Sequence, residues 1–210
     1  MLTPRRKAPG APTRGEIERA GKVRIIGGSL RNSRLPVLDR AGLRPTPDRV
    51  RETVFNWLAP SLDGARCLDL YAGSGALGIE ALSRGAIWVE LVEADHDLAA
   101  NLREQVSRLG VADRTEVRAV TAELLLRESP AQPFEVIFVD PPYAAGSWNA
   151  ALDGLLSGGW LTSGACVYLE WPHPARPALP SAFAWWRESR AGAIGYGLAR
   201  VANNASNRFQ

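Results

Sequence analysis

Histidine, cysteine, methionine and long apolar runs are all scarce in this chain of 210 residues. The two histidines, His96 and His173, stand in surroundings that mark neither as catalytic. Cys67 and Cys166 fall in apolar stretches that read as strands, with no metal-type partners nearby. They read as reduced, buried thiols of a cytoplasmic protein, and no metal site is expected. No run of about 18 apolar residues exists, so a membrane-spanning helix is excluded. The N-terminus lacks the apolar core of a signal peptide. What is present is a 46% hydrophobic chain, enough for one sizeable core with short additions.

Charge is unevenly placed. The net charge is only +3. Residues 1–51 nevertheless carry 13 lysines and arginines against four acids, and all but Lys7 and Lys22 of those cations are arginines. Residues 52–210 carry 12 cations against 18 acids. A basic front end on an acidic body suggests an arm that binds a polyanion. Arginine suits this role because its guanidinium makes bidentate phosphate contacts and stacks on bases.

The richest stretch is Ile137-Phe138-Val139-Asp140-Pro141-Pro142-Tyr143. An apolar run ending in a carboxylate reads as a buried parallel strand with a reactive tip. The two prolines remove two N–H donors. Acceptors remain: the Asp140 side chain and the Pro141 carbonyl. Tyr143 adds a stacking ring. Two acceptors beside a ring suit a planar base bearing an exocyclic NH2. Hydrogen bonds from both N–H groups return electron density to a delocalised nitrogen and aim its lone pair at an electrophile. Orientation then supplies much of the rate, with effective molarities on the order of 10⁵ M or more.

Residues 67–78 carry the second signal, a short strand, a tight turn at Gly73-Ser74-Gly75 and a helix from about Ala76 to Arg84. Gly73, Gly75 and Gly78 satisfy Gly-x-Gly-x-x-Gly, which alone is a weak dinucleotide signature. Asp69 argues against a pyrophosphate there and for a ligand with positive groups, S-adenosyl-L-methionine. Glu93 ends the next strand, where a carboxylate can bind both ribose hydroxyls.

Along the chain, 1–21 reads as a disordered basic tail and 22–60 as a basic hairpin and helix. Residues 61–201 read as a methyltransferase domain and 202–210 as a flexible tail. The hairpin pairs 23–26 with 34–37. Thr46 is expected to cap the helix that carries Val50, Val54, Trp57 and Leu58. Arg49 and Glu52 lie off that stripe. Strands are expected near 66–70, 88–93, 115–120, 134–140, 165–171, 184–190 and 194–201. Helices are expected near 75–84, 96–109, 122–128 and 147–157. The pattern is α/β, a doubly wound, seven-stranded, mostly parallel Rossmann-like sheet with one antiparallel strand in a terminal hairpin. Asp69, Glu93 and Asp140 then share one crevice at the strand ends.

The residues resemble a class I S-adenosylmethionine-dependent methyltransferase acting on an exocyclic amine. Arg24–Gly28, Leu43–Thr46, Asp48–Thr53, Phe55–Leu58 and Gly75–Gly78 resemble, more specifically, the RsmD family. Its members are bacterial methyltransferases that make N2-methylguanine at position 966 of 16S ribosomal RNA. The resemblance runs from about Val23 to Val201. It implies that Asp69, Tyr71, Ala72, Gly73, Ser74 and Gly75 surround the cofactor, with Glu93 and Ala94 at its ribose. It places Ala122 near the adenine, Thr46 and Arg49 closing over the carboxylate, and Asp140 at the methyl group. Asp140, Pro141, Pro142 and Tyr143 would hold the guanine. Arg24, Arg31, Arg34, Arg44 and Arg51 would grip RNA, in a 30S particle or assembly intermediate, with the enzyme a monomer. Pro47 and Thr121 depart from the family pattern, so the adenine contact stays open. From the residues alone an adenine-N6 methyltransferase fits equally well. A nicotinamide-dependent oxidoreductase leaves Asp140-Pro141-Pro142-Tyr143 without a role, and a non-catalytic RNA-binding module leaves three acids unexplained.

Overall fold

The computed structural model describes residues 19–40, 46–141 and 148–202. It starts with a two-stranded antiparallel hairpin, β1 (Arg19–Arg24) and β2 (Arg34–Leu38). β1 begins inside the stretch expected to be tail, because Arg19 already pairs with Leu38. Helix α1 (Asp48–Leu58) follows. The alternating part comprises β3 (Arg66–Asp69), α2 (Ala76–Ser83), β4 (Trp88–Val92), α3 (His96–Arg108) and β5 (Thr115–Arg118). It continues with α4 (Ala122–Leu125), β6 (Phe134–Val139), α5 (Trp148–Ser157), β7 (Leu161–Pro172), β8 (Phe183–Ala191) and β9 (Ile194–Val201).

The seven strands β3–β9 form one sheet in the order β5-β4-β3-β6-β7-β9-β8. Only β9 runs against its neighbours, and the two residues between β8 and β9, Gly192 and Ala193, permit nothing else. β7 starts earlier than its apolar run suggests. Leu161 pairs with Phe134 ahead of a bulge, and Gly164 takes a positive φ of 75° there.

Alternation along the strands builds two cores. Cys67, Val89, Leu91, Val136, Phe138 and Tyr168 face α1, α2 and α3. Leu68, Val92, Ile137, Val139, Val167 and Leu169 face α4 and α5. Strand order reverses between β3 and β6, and that switch point opens the crevice at their carboxyl ends. Close packing beneath it depends on Gly78. A Cβ there would collide with Leu91 and lie 3.0 Å from Val89 Cγ1, so α2 could not lie this near the sheet.

The β1–β2 hairpin is bolted to α2 through a buried carboxylate. Glu80, with no exposed surface, accepts from Ile26 N (2.7 Å), Gly27 N (2.8 Å) and Arg84 Nε (2.7 Å). Ser83 adds its hydroxyl, which donates to the Gly27 carbonyl and accepts from Leu30 N at 2.9 Å. Four backbone groups of a tight turn are thus satisfied by two side chains of one helix.

Candidate functional site

Four carboxylates stand at neighbouring strand ends on one face of the sheet. Asp69 ends β3, Glu93 follows β4, Asp140 follows β6, and Glu170 lies near the end of β7. The register Phe138↔Tyr168 and Val139↔Leu169 sets Asp140 beside Glu170 one step further on.

The half of the site on β3 and β4 is internally hydrogen-bonded. Gly73 (φ 51°) and Gly75 (φ 78°) take left-handed conformations that only glycine adopts without strain. Gly75 occupies the N-cap position of α2, with Ala72 and Ser74 buried beside it. Asp69 is 2% exposed and braces the loop from within, accepting from Gly78 N at 3.1 Å. Burial pushes its carboxyl up to about 7, against the Gly78 and Tyr71 backbone donors and with the help of nearby Glu93. Glu93 is half-buried. Its two oxygens accept from Gly73 N and Asp95 N, each at 2.8 Å. Each oxygen keeps a lone pair for a ligand hydroxyl. Ala94 lies exposed next to it.

Ala122 opens α4 and is buried. Thr121 caps that helix, its hydroxyl accepting from Leu124 N at 3.2 Å. The polar side chain before Ala122 is thus committed to its own helix.

The half of the site on β6 and β7 differs. Asp140 is half-buried, and no described residue donates a hydrogen bond to it. Burial, then the charge of Glu170, then that of Asp69, hold its carboxyl well above the ordinary range. Pro141 is buried behind it. Pro142, Tyr143 and Arg44 lie outside the described residues.

Thr46 is not the cap of α1. Pro47 holds that position with no side-chain cap bond, and the Thr46 hydroxyl turns inward to donate to Glu170 Oε2 at 3.1 Å. Tyr168 donates to the same oxygen at 2.8 Å. Proline at the cap frees the threonine to tie α1 to the far side of the crevice. Glu170 has the same signature as Asp140, an acid closing an apolar strand, and that pattern is visible in the sequence. Arg49 lies exposed in the first turn of α1.

Arg51 requires a correction. Expected on RNA, it is fully buried. It donates to the Arg24 carbonyl (2.8 Å), Asp48 Oδ1 (2.6 Å) and the Thr46 carbonyl (3.3 Å), and its Nη1 lies 3.6 Å from Glu80 Oε2. It is a strut between hairpin, lid and α2. Its place one turn before Val54 and Phe55 puts it on the inward face, and paired carboxylates make that burial tolerable. Arg24, Arg31 and Arg34 are exposed on the hairpin, with Arg24 Nη2 lying 3.6 Å from Asp48.

Among the described residues no cluster of three His, Cys, Asp or Glu could hold a metal ion, and no helix is long and apolar enough to cross a membrane. The residues do fit S-adenosylmethionine: a glycine loop with positive φ, the two oxygens of Glu93 for hydroxyls, and further acids nearby.

The sheet order, the glycine loop and the acids at four neighbouring strand ends define a class I S-adenosylmethionine-dependent methyltransferase. The family described as conserved hypothetical protein 95 matches residues 23–200. Ribosomal RNA small subunit methyltransferase D of Escherichia coli K12 is 41% identical over 180 residues, 85% of this chain and 90% of that protein. Its namesake in Haemophilus influenzae is 39% identical, covering 85% and 93%. A solved E. coli structure described as a candidate methyltransferase superposes with a TM-score of 0.79 at 38% identity, covering 88% of this chain and all of that one. An RNA methyltransferase of Salinibacter ruber in complex with S-adenosyl-L-homocysteine shares the fold, with a TM-score of 0.59 at 19% identity. The chain belongs to the ribosomal RNA small subunit methyltransferase D (RsmD) family.

Proposed function

We propose that this enzyme methylates the exocyclic N2 of a guanine in 16S ribosomal RNA, at the position numbered 966, working as a cytoplasmic monomer on a 30S particle or assembly intermediate. The observation that carries the reading is the Asp140 carboxylate. It is half-buried and without a described donor, at a strand tip followed by Pro141-Pro142-Tyr143.

S-adenosylmethionine supplies an electrophilic methyl group on a sulfonium. The chain supplies position. Asp140 and the Pro141 carbonyl accept the two N2 hydrogens and turn the lone pair toward the methyl. Tyr143 covers the face of the base. The alkylated nitrogen is acidic, and the raised proton affinity of Asp140 suits its carboxylate to take that proton. Gly73, Gly75 and Glu93 seat the cofactor, Thr46 and Arg49 close over it, and Asp69 shapes the loop. Residues 22–60 form the lid and RNA contact, 61–201 the catalytic domain, and 1–21 and 202–210 the tails.

The test is methyl transfer from labelled S-adenosylmethionine to 16S RNA and to 30S particles from cells lacking the enzyme, with mass spectrometry of the nucleosides. N2-methylguanosine is the expected product. N6-methyladenosine would keep the mechanism and overturn the substrate.

A further inference from the structure

Charge in the body of the protein is divided by position. Residues 52–171 carry seven cations against seventeen acids. Residues 172–202 carry Arg176, Arg187, Arg190 and Arg200 against Glu188 alone. The fold gathers this second stretch on β8, β9 and the loop before them, at the open edge of the sheet. The other basic surface, the β1–β2 hairpin, is bonded to α2 and α3, which belong with β3, β4 and β5. The two basic surfaces therefore lie toward opposite edges of the sheet, and the β8–β9 one reaches the level of the crevice at Arg190, in register with Gly195 and Trp171.

The edge is more than a scatter of charge. Two guanidinium groups stack on Trp186, Arg200 at 3.3 Å and Arg187 at 5.1 Å from the ring centroid. A guanidinium over an aromatic ring can keep N–H edges free for another group. Arg200 Nε is itself buried, with no hydrogen-bond partner among the described residues. Arg190 Nη1 lies 3.2 Å from His173 Nε2, three residues beyond Glu170, so the basic surface begins where β7 leaves the crevice. Glu188 is taken up by Arg176, through Nε at 2.6 Å and Nη2 at 2.8 Å. Arg187 and Arg190 are exposed.

Cations on an edge strand often serve to block pairing with another sheet. That would account for Arg187 and Arg190 on β8. It does not account for Arg200, which lies on the inner strand β9, or for two guanidiniums gathered on one indole. Flat, held guanidiniums beside an aromatic ring suit a polymer that alternates phosphates with planar bases.

We propose that the β8–β9 edge is a second RNA-contact surface, holding phosphates of the strand that flanks the target nucleotide on the side opposite the β1–β2 hairpin. The proposal rests on the RNA methyltransferase reading above. Gripping both flanks lets the nucleotide between them swing out of its stack into the crevice while its neighbours stay fixed.

The test compares wild type with Arg187→Gln/Arg190→Gln, both exposed positions, on the full chain. Binding of a 16S RNA fragment containing the target is followed against salt with S-adenosyl-L-homocysteine present, and kcat and KM are measured on naked 16S RNA and on 30S particles. The slope of log K against log salt should fall by about 1.5, at roughly 0.7–0.9 per lost phosphate contact. KM for RNA should rise about tenfold, with kcat within about twofold and cofactor affinity unchanged. An unchanged slope and KM would overturn the second surface while leaving the enzyme's reaction intact. Self-association of the variant at unchanged slope would assign the arginines to edge protection and overturn it too. A defect seen only on 30S particles would assign the surface to a ribosomal protein instead. Failure of the wild type to methylate RNA at all would overturn the underlying reading, a distinct result.

Discussion

The two halves of the crevice are built on opposite plans. On the β3–β4 side every acid is already occupied by backbone: Asp69 by Gly78 N, Glu93 by Gly73 N and Asp95 N. On the β6–β7 side, Asp140 has no described donor and faces the charge of Glu170. The first half is a preformed seat, its acids held by backbone donors before any ligand arrives. The second stores electrostatic tension that a ligand rich in N–H groups relieves. A cofactor common to many enzymes can be met by a rigid seat. A nucleotide that must be extracted from folded RNA gains from a half that becomes stable only when filled.

Breaking the second half should give the largest effect. Asp140→Ala removes the acceptor that orients the amine. Turnover should fall about 10³-fold while cofactor affinity, measured by calorimetry, stays within a few-fold. Surviving turnover would sink the acceptor role.

Arg51→Ala should act on the fold instead of on RNA. It leaves Glu80 with less compensation in a dry site, and the expected loss of unfolding free energy in urea is about 3–5 kcal/mol. A variant of wild-type stability with a reduced RNA salt slope would restore Arg51 to the RNA interface.

Asp69→Asn sharpens the contrast through pH. The folded carboxyl titrates near about 7 and the unfolded one near about 3.9. Between these values the folded chain keeps a proton that the unfolded chain has lost. Wild-type stability should therefore fall as pH rises from about 4 to about 7, relative to the variant. Parallel stability curves for the two proteins across that window would contradict a buried, strained Asp69.

Glu93→Gln probes the seat directly. One oxygen becomes an NH2 facing a backbone donor, so cofactor affinity should fall about tenfold, roughly 1.4 kcal/mol. Turnover at saturating cofactor should recover; a loss in kcat alone would place Glu93 in the reaction. Smallest of all, Arg34→Gln on the exposed hairpin should lower the RNA salt slope by about 0.7–0.9 with no change in stability.

Much of this was legible in the residues themselves. Alternating apolar runs, glycine punctuation and acids at the ends of the central strands predict the sheet, its helices and the crevice, because those signals are local and periodic. Asp69, Glu93 and Asp140 stand where the strand ends put them. Glu170 carries the same local mark and was readable by the same rule.

What tertiary structure alone decided concerns long polar side chains. Arg51 and Arg34 look alike in sequence, yet one is a buried strut and the other an exposed cation. The difference is made by Glu80, 29 residues away in sequence from Arg51 and brought within 3.6 Å only when α2 and the hairpin close on α1. Thr46 turned from helix cap to a tie between the start of α1 and β7 because Glu170 lies 3.1 Å away across 124 residues. The basic β8–β9 edge was masked in sequence by an acidic average and emerged when the sheet order placed it on the far side of β7. Strands and turns follow from the preferences of neighbouring residues. The partner of a long charged side chain follows from which distant group the fold brings within reach, because burying a charge is tolerable only beside one.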